Sequence, residues 1–235
     1  NELSSILRDS TQTIIFSFLL LFSYFSIFFS YNILFIQKKN INFFYEDLHL
    51  IFYLLIVISI FFLFFSSNNN FSINLLSLSS SMSNIGFSLQ YDQPNLNFIY
   101  LILVIIGGSF FSTSSGLRFI KIYSLFKYSI NQILSFSKPK NIFMNKLLFT
   151  EINFNFKEIN KYFLTIIIFI LSLFILTTLL CLGQIDFESS FKLAILTLMN
   201  TVNSTAYGLA DFEFYNLHNF TKFCLIFFMI IGRIE

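Results

Sequence analysis

Long apolar runs alternate along this chain with short polar stretches, and the runs dictate the class of fold. Residues 10–37, 48–91, 93–117 and 163–185 contain no Asp, Glu, Lys or Arg. A helix needs about 20 apolar residues to cross the hydrocarbon of a bilayer. Each run is long enough, and 48–91 has room for more than one pass or for a span plus a re-entrant piece. Barrel strands would alternate apolar and polar over about 10 residues, whereas these runs are apolar on every face. By length, spans fall at about 12–36, 48–66, 97–120, 162–182 and 218–232. An all-α membrane protein is expected, with lipid as the solvent for most of the chain.

Composition closes off the soluble alternatives. The chain is 56% hydrophobic and 11% charged, with 37 Phe and a mean hydropathy of +0.76; an average soluble domain carries about 25% charged residues. Fourteen basic and twelve acidic side chains cannot cover the surface of a soluble domain of this size. Phe replaces Leu in lipid at little cost, so the Phe excess points to base-composition drift rather than function. Cys181 and Cys224 lie in or beside apolar runs without metal-ligand spacing, as buried inert thiols do. Nothing marks an enzyme: His49 and His218 are far apart, no span holds paired carboxylates, and no glycine loop that cradles phosphate opens a helix. No covalently bound cofactor and no nucleic-acid partner are expected. The chain opens on Asn1 rather than Met and stops at Glu235 just after an apolar run, so an internal or truncated piece is expected. No positively charged leader with a cleavage site precedes the first run.

Charge orients the spans. Arg118, Lys121, Lys127, Lys138, Lys140 and Lys146 succeed one another with no acid between them, whereas Asp186 to Glu213 holds four acids and one Lys. The excess of Lys and Arg on cytoplasmic loops places the first stretch inside. The second span then runs outward, the third returns, the fourth leaves and the fifth comes back, and Lys38 and Lys39 also fall inside. Two polar stretches, Asn68 to Asn97 and Gly183 to Asn216, lie outside between an outgoing and a returning span.

Those two stretches share a plan. Phe71 to Met82 precedes Ser83-Asn84-Ile85-Gly86-Phe87, and Phe187 to Met199 precedes Asn200-Thr201-Val202-Asn203-Ser204. An apolar piece of about 12 residues is too short to cross and suits a re-entrant half-helix. Irregular backbone at membrane depth is tolerated where it is buried in protein or lines a water-filled path, and carbonyls there can replace the hydration shell of a cation. Ordinary extracellular loops are the plain alternative. The resulting unit is span, re-entrant pore helix, loop, span, occurring twice.

Four motifs then carry a resemblance. Ser83-Asn84-Ile85-Gly86-Phe87 is similar to the Ser-Thr-Thr-Gly-Phe filter loop of the TrkH, KtrB and plant HKT potassium transporter superfamily, where the glycine lets a carbonyl turn toward the ion. Gly107-Gly108-Ser109-Phe110-Phe111-Ser112-Thr113-Ser114-Ser115-Gly116-Leu117-Arg118 resembles the family's Gly-Gly-Ser-x-Gly-Ser-Thr-x-Gly-Gly-Ile-Lys, which breaks the second helix of the third repeat and forms an intramembrane gate. Glycine and serine clusters also serve close helix packing. Ile231-Gly232-Arg233-Ile234-Glu235 looks like the Gly-Arg-Leu-Glu of the fourth repeat, which would make Arg233 a fixed charge in the pore and Glu235 its counter-charge. The plain alternative is an Arg and Glu pair marking the end of a span. Asp186-Phe187-Glu188-Ser189-Ser190-Phe191 is similar to the entry into the fourth pore helix, with Asp186 at the cap position.

The resemblance implies a potassium-channel-like architecture in partial form. Residues 1–44 would end a second repeat and hold a cytoplasmic linker; 45–146 would be the third repeat, with its broken helix and a basic cytoplasmic loop; 147–235 would be a fourth repeat cut short. It implies a filter at Asn84, Ile85, Gly86, Phe87, Asn200, Thr201, Val202, Asn203 and Ser204 holding K⁺ as the transported ion. It also implies a gate loop at Gly107, Gly108, Ser109, Ser112, Thr113, Ser114, Ser115 and Gly116, and pore charges at Arg233 and Glu235. The fourth loop lacks glycine, and a second register, Ser204-Thr205-Ala206-Tyr207-Gly208, stays open for it. With Asn84-Ile85 in place of Thr-Thr, the choice of K⁺ over Na⁺ stays open as well. Two further repeats would be needed to close a pore. A multi-pass bacterial inner-membrane subunit in contact with lipid is implied, acting as a homodimer with a cytosolic nucleotide-binding regulatory subunit similar to TrkA. The basic loop could dock an acidic surface or anionic lipid. Whether K⁺ moves by symport with H⁺ or Na⁺ stays open. The rival is a secondary transporter with broken helices, carrying another ion or small solute; it calls for an acidic or other ion-coupling residue at mid-membrane, and the four long spans hold none.

Overall fold

The computed structural model describes residues 9–26, 41–65, 71–89, 96–109, 112–136, 156–203, 205–209 and 214–233. Helix α1 (Ser10–Phe22) precedes α2 (Ile41–Phe65), α3 (Phe71–Met82) and α4 (Asn97–Ile105). A two-residue strand β1 (Ile106–Gly107) pairs in parallel with β2 (Leu117–Arg118), in the register Ile106 to Leu117 and Gly107 to Arg118. Helix α5 (Phe119–Ser135) comes next. Then α6 (Phe156–Leu182), α7 (Phe187–Leu198) and α8 (Asn219–Gly232) repeat the order of α2, α3 and α4, with 3-10 turns at Thr205–Tyr207 and Phe214–Asn216.

Helices α2 and α6 are long enough to cross a membrane, about 37 to 40 Å at 1.5 Å per residue. Their apolar windows, Glu46–Leu63 and Glu158–Leu182, are only 28% and 22% buried. Phe52, Leu55 and Leu63 on α2, and Phe163, Leu171 and Phe174 on α6, all point outward. Apolar faces left outside on every turn fit hydrocarbon and not water.

The core is made instead from the half-helices. Each has 12 residues, about 18 Å. Every residue from Asn74 to Met82 is buried, as is every residue from Leu193 to Leu198. Helix α1 lies against α3, α4 lies against both α3 and α7, and α6 and α8 close around α7. The serine-rich sequence of α3 tolerates this burial because its hydroxyls bond its own turns: Ser77 donates to Ile73 O at 3.2 Å, Ser79 to Leu76 O at 2.9 Å and Ser81 to Ser77 O at 2.7 Å.

Several boundaries differ from those read from apolarity. The first span, expected at 12–36, is helical only to Phe22 among the described residues; Ser23, Tyr24 and Phe25 turn back on carbonyls three residues earlier at 3.1–3.3 Å. Helix α2 begins at Ile41, so Glu46 and Asp47 lie within it and the 44/45 repeat boundary cuts through it. The two charges end the apolar run but not the helix. Helix α6 likewise extends back to Phe156, while the 146/147 boundary lies outside the described residues. The span placed by length at 97–120 is broken from Ile106 to Arg118, the stretch where the resemblance implies a break, and the first part of the stretch expected as a basic loop is helix α5. Asp186 holds the cap position of α7 without a side-chain bond; its backbone carbonyl accepts from Ser190 N at 2.8 Å. The half-helices and the last span fall where the sequence places them, within a residue or so.

Candidate functional site

The two half-helices end in the same way. After α3, the Asn84 N–H donates to Ser81 O at 3.3 Å and the Ile85 N–H to Ser80 O at 3.1 Å; after α7, the Asn200 N–H donates to Thr197 O at 3.1 Å and the Thr201 N–H to Leu196 O at 2.9 Å. This double closure requires a left-handed residue, and Asn84 at φ 58° and Asn200 at φ 51° supply it. Asparagine adopts that conformation more readily than most side chains. The pairing sets Asn84 against Asn200, Ile85 against Thr201, Gly86 against Val202 and Phe87 against Asn203. In the alternative register, Thr205–Tyr207 form a 3-10 turn and Ser204 lies outside the described residues.

The two loops meet. Gly86 stands at φ +77°, and a β-carbon on it would fall on the Val202 carbonyl. Ile85 and Val202 are exposed, whereas Asn84 and Thr201 are buried. Phe87 donates its N–H to Ser80 Oγ at 2.5 Å and sets its ring edge-on to Phe16 of α1, 6.1 Å between centroids. The segment after the second loop returns to brace the first, since Ala206 N donates to Ser88 Oγ at 3.3 Å and the Tyr207 hydroxyl reaches Ser81 Oγ at 3.3 Å.

Between β1 and β2 the chain leaves the helical path and comes back beside its point of departure, so α5 resumes where α4 stopped. Gly107 and Gly116 pass so closely that a β-carbon on Gly107 would press on the Ser115 and Gly116 carbonyls. Inside the excursion, Ser114 Oγ accepts from Gly108 N at 3.0 Å and lies 2.9 Å from Ser112 Oγ. Phe110 and Phe111 lie outside the described residues.

The excursion is tied to both half-helix ends. Asn84 Nδ2 donates to Ser115 O at 2.5 Å and to Ser115 Oγ at 3.2 Å, and the Ser115 hydroxyl donates to the Met199 carbonyl. On another side, Ser109 N donates to Tyr24 O at 3.2 Å, while Thr113 N and Oγ1 donate to Ser23 O at 3.3 and 3.1 Å. Ser23, Tyr24 and Ser26, and Asp47 behind them, were not singled out from the sequence. The one signal in the sequence is the acid pair Glu46-Asp47 at the edge of an apolar run.

A polar cavity of about 570 Å³ lies between these parts. Asn84 and Asn200, Ser109 and Ser112 to Gly116, Arg118, and Gly232 with Arg233 all line it. Arg233 caps the end of α8, which brings it to the same space as the 106–118 loop; Glu235 lies outside the described residues. Asn84 Oδ1, Asn200 Nδ2 and Asn203 Oδ1 are buried with no hydrogen-bond partner among the described residues. Hydroxyl, amide and carbonyl oxygens in this concentration are hard donors that suit an alkali cation, and Arg118 and Arg233 add fixed positive charge to the lining.

This backbone plan occurs in a solved transporter. The crystal structure of the potassium transporter TrkH from Vibrio parahaemolyticus superposes on this chain with a TM-score of 0.79 at 19% identity, over 97% of this chain and 50% of that one. The chain has the TrkH fold. It spans half the length of that transporter, and at this identity the property the two share is the architecture: a helical membrane fold in which spans alternate with re-entrant half-helices. No protein-family model matches the chain, and no curated protein sequence matches it either.

Proposed function

We propose that this chain is part of the pore-forming subunit of a potassium-uptake system, carrying K⁺ across a bacterial inner membrane through a carbonyl-lined filter gated by the 106–118 loop. One observation carries the reading: the loops after α3 and α7 touch at Gly86 and Val202, and their bases open onto a polar cavity that the 106–118 loop shares. In this reading Asn84 to Phe87 and Asn200 to Ser204 contribute two of four filter strands, and two more such units complete the ring. Backbone carbonyls replace the waters of the ion, and preorganised oxygens make that exchange favourable. Arg233, with Glu235 as its counter-charge, faces the passing ion from the end of α8, and a cation placed there raises the barrier until the loop and the charge move apart. K⁺ is the principal cargo, with Na⁺ admitted to the extent that the fourth strand lacks glycine.

The TrkH likeness also motivates a homodimer with a cytosolic nucleotide-binding partner. Co-purification from detergent tests it, and a partner-free monomer counts against it. A secondary transporter of another ion or solute is the second reading, favoured by the buried acid Asp47 in α2. Rb⁺ uptake by the full-length protein, with and without Gly86→Ser, decides between them. Loss of uptake is expected, and uptake equal to the parent's overturns the filter assignment.

A further inference from the structure

Asp47 lies inside the apolar helix α2 and is 1% exposed. A carboxyl group in that setting is costly unless both oxygens are bonded. A single residue from outside the helix engages both: the Ser26 N–H donates to Oδ1 at 3.2 Å and the Ser26 hydroxyl to Oδ2 at 2.6 Å. Ser26 belongs to a short non-helical strap, residues 23–26 among those described, that leaves α1. The strap's carbonyls are the acceptors already described for Ser109 and Thr113 of the 106–118 loop. The fully buried Tyr24 adds a second kind of link, its hydroxyl donating to Ile106 O at 3.1 Å, at the root of the loop. Asp47 thus stands at the head of a line of contacts that runs through Ser26 and the strap to the loop, and none of these bonds involves Asn84–Phe87 or Asn200–Asn203.

We propose that Asp47 is a positioning residue for the 106–118 loop: by gripping Ser26 with both carboxylate oxygens it fixes the strap whose carbonyls hold the loop across the ion path. This rests on the gate reading above. The acid suits the task because Ser26 presents two donors and a carboxylate only accepts. An amide at the same position offers one acceptor and one donor, and alanine offers neither. Releasing the strap leaves Ser23 O and Tyr24 O unplaced, so the loop opens more often while the filter keeps its geometry.

The test uses the full-length protein in proteoliposomes, with Cys181, Cys224 and every other native cysteine replaced by Ser and Ser112→Cys as reporter. Labelling of the reporter by a water-soluble thiol reagent is timed alongside Rb⁺ and Na⁺ uptake. Losing a hydrogen bond to a charged group should raise the labelling rate about tenfold in Asp47→Ala, and less in Asp47→Asn and Ser26→Ala. Ser26→Ala should add nothing in the Asp47→Ala background, and the Rb⁺ to Na⁺ ratio should hold while uptake rises. Ser26→Ala keeps the buried acid and its backbone bond, so it carries the test if Asp47→Ala does not fold. Labelling at the parent rate in folded Ser26→Ala and Asp47→Asn overturns the proposal. Labelling needs no ion flux, so that result together with uptake lost in Gly86→Ser sinks the tether and leaves the filter standing. Faster labelling with uptake unmoved overturns the gating role itself.

Discussion

The loop after α3 and the loop after α7 begin alike and part at their third residue. Both leave a 12-residue half-helix whose second half is buried through a left-handed asparagine, and both send the next N–H back five residues. At the third position the first loop has Gly86 at φ +77° with no room for a side chain, and the second has Val202, which is 67% exposed and whose carbonyl fills the space beside Gly86. One loop supplies the backbone reversal and the other supplies the oxygen that meets it. The asparagines differ too, because Asn84 holds Ser115 of the intervening loop whereas Asn200 Nδ2 has no partner among the described residues. The two units therefore share the way a half-helix ends and differ in the strand that leaves it.

Substitutions that make the loops more alike should have graded effects. The largest is expected for Gly86→Ala: the left-handed conformation costs an L residue about 1–2 kcal/mol, and the β-carbon would strike backbone that cannot swing aside. Rb⁺ uptake should be lost and the unfolding midpoint in detergent should fall by about 5 °C or more; a fully active variant would show that the contact with Val202 is dispensable. Next comes Asn84→Ala, which loses both the conformational preference and the bonds to Ser115, for about 2 kcal/mol in thermal or denaturant unfolding. Asn84→Gly keeps the turn and loses only the bonds, so it should cost about 1 kcal/mol. Asn200→Gly, with no side-chain bond among the described residues to lose, should stay within about 0.5 kcal/mol of the parent. Equal costs for the two glycine variants would erase the difference between the loops. The smallest effect belongs to Val202→Ala, which leaves the carbonyl in place: stability within about 0.5 kcal/mol and uptake within about twofold, read in the same assays.

The long spans and the half-helices also reverse the usual relation between polarity and burial. Helices α2 and α6 are apolar and outward-facing, whereas α3, with Ser77, Ser79, Ser80 and Ser81 in a row of buried positions, forms the centre. Apolarity alone therefore locates the spans but misjudges their ends. A charge ordinarily ends a span, so apolarity stops at Asp47, and nothing local shows that Ser26, distant in sequence, satisfies both oxygens. It also ran one span through 106–118, since Ile, Gly, Phe and Ser look permissible in a helix when no partner for the freed backbone is in view. The partners are Ser23 and Tyr24, from a stretch that apolarity reads as one continuous first helix.

Local sequence by itself determined the helical membrane class, the two half-helices from Phe71 and Phe187, and the loops that leave them. Each of these rests on short-range physics: the length of an apolar run, or a turn residue just past a helix. Only the tertiary structure decided that Gly86 meets Val202, that Asn84 and Ser115 join a half-helix to the interrupted span, and that Asp47 is held by Ser26. Those contacts join residues far apart in the chain, and hydrogen-bond partners across such distances are set by the packing of whole helices, which no local pattern encodes.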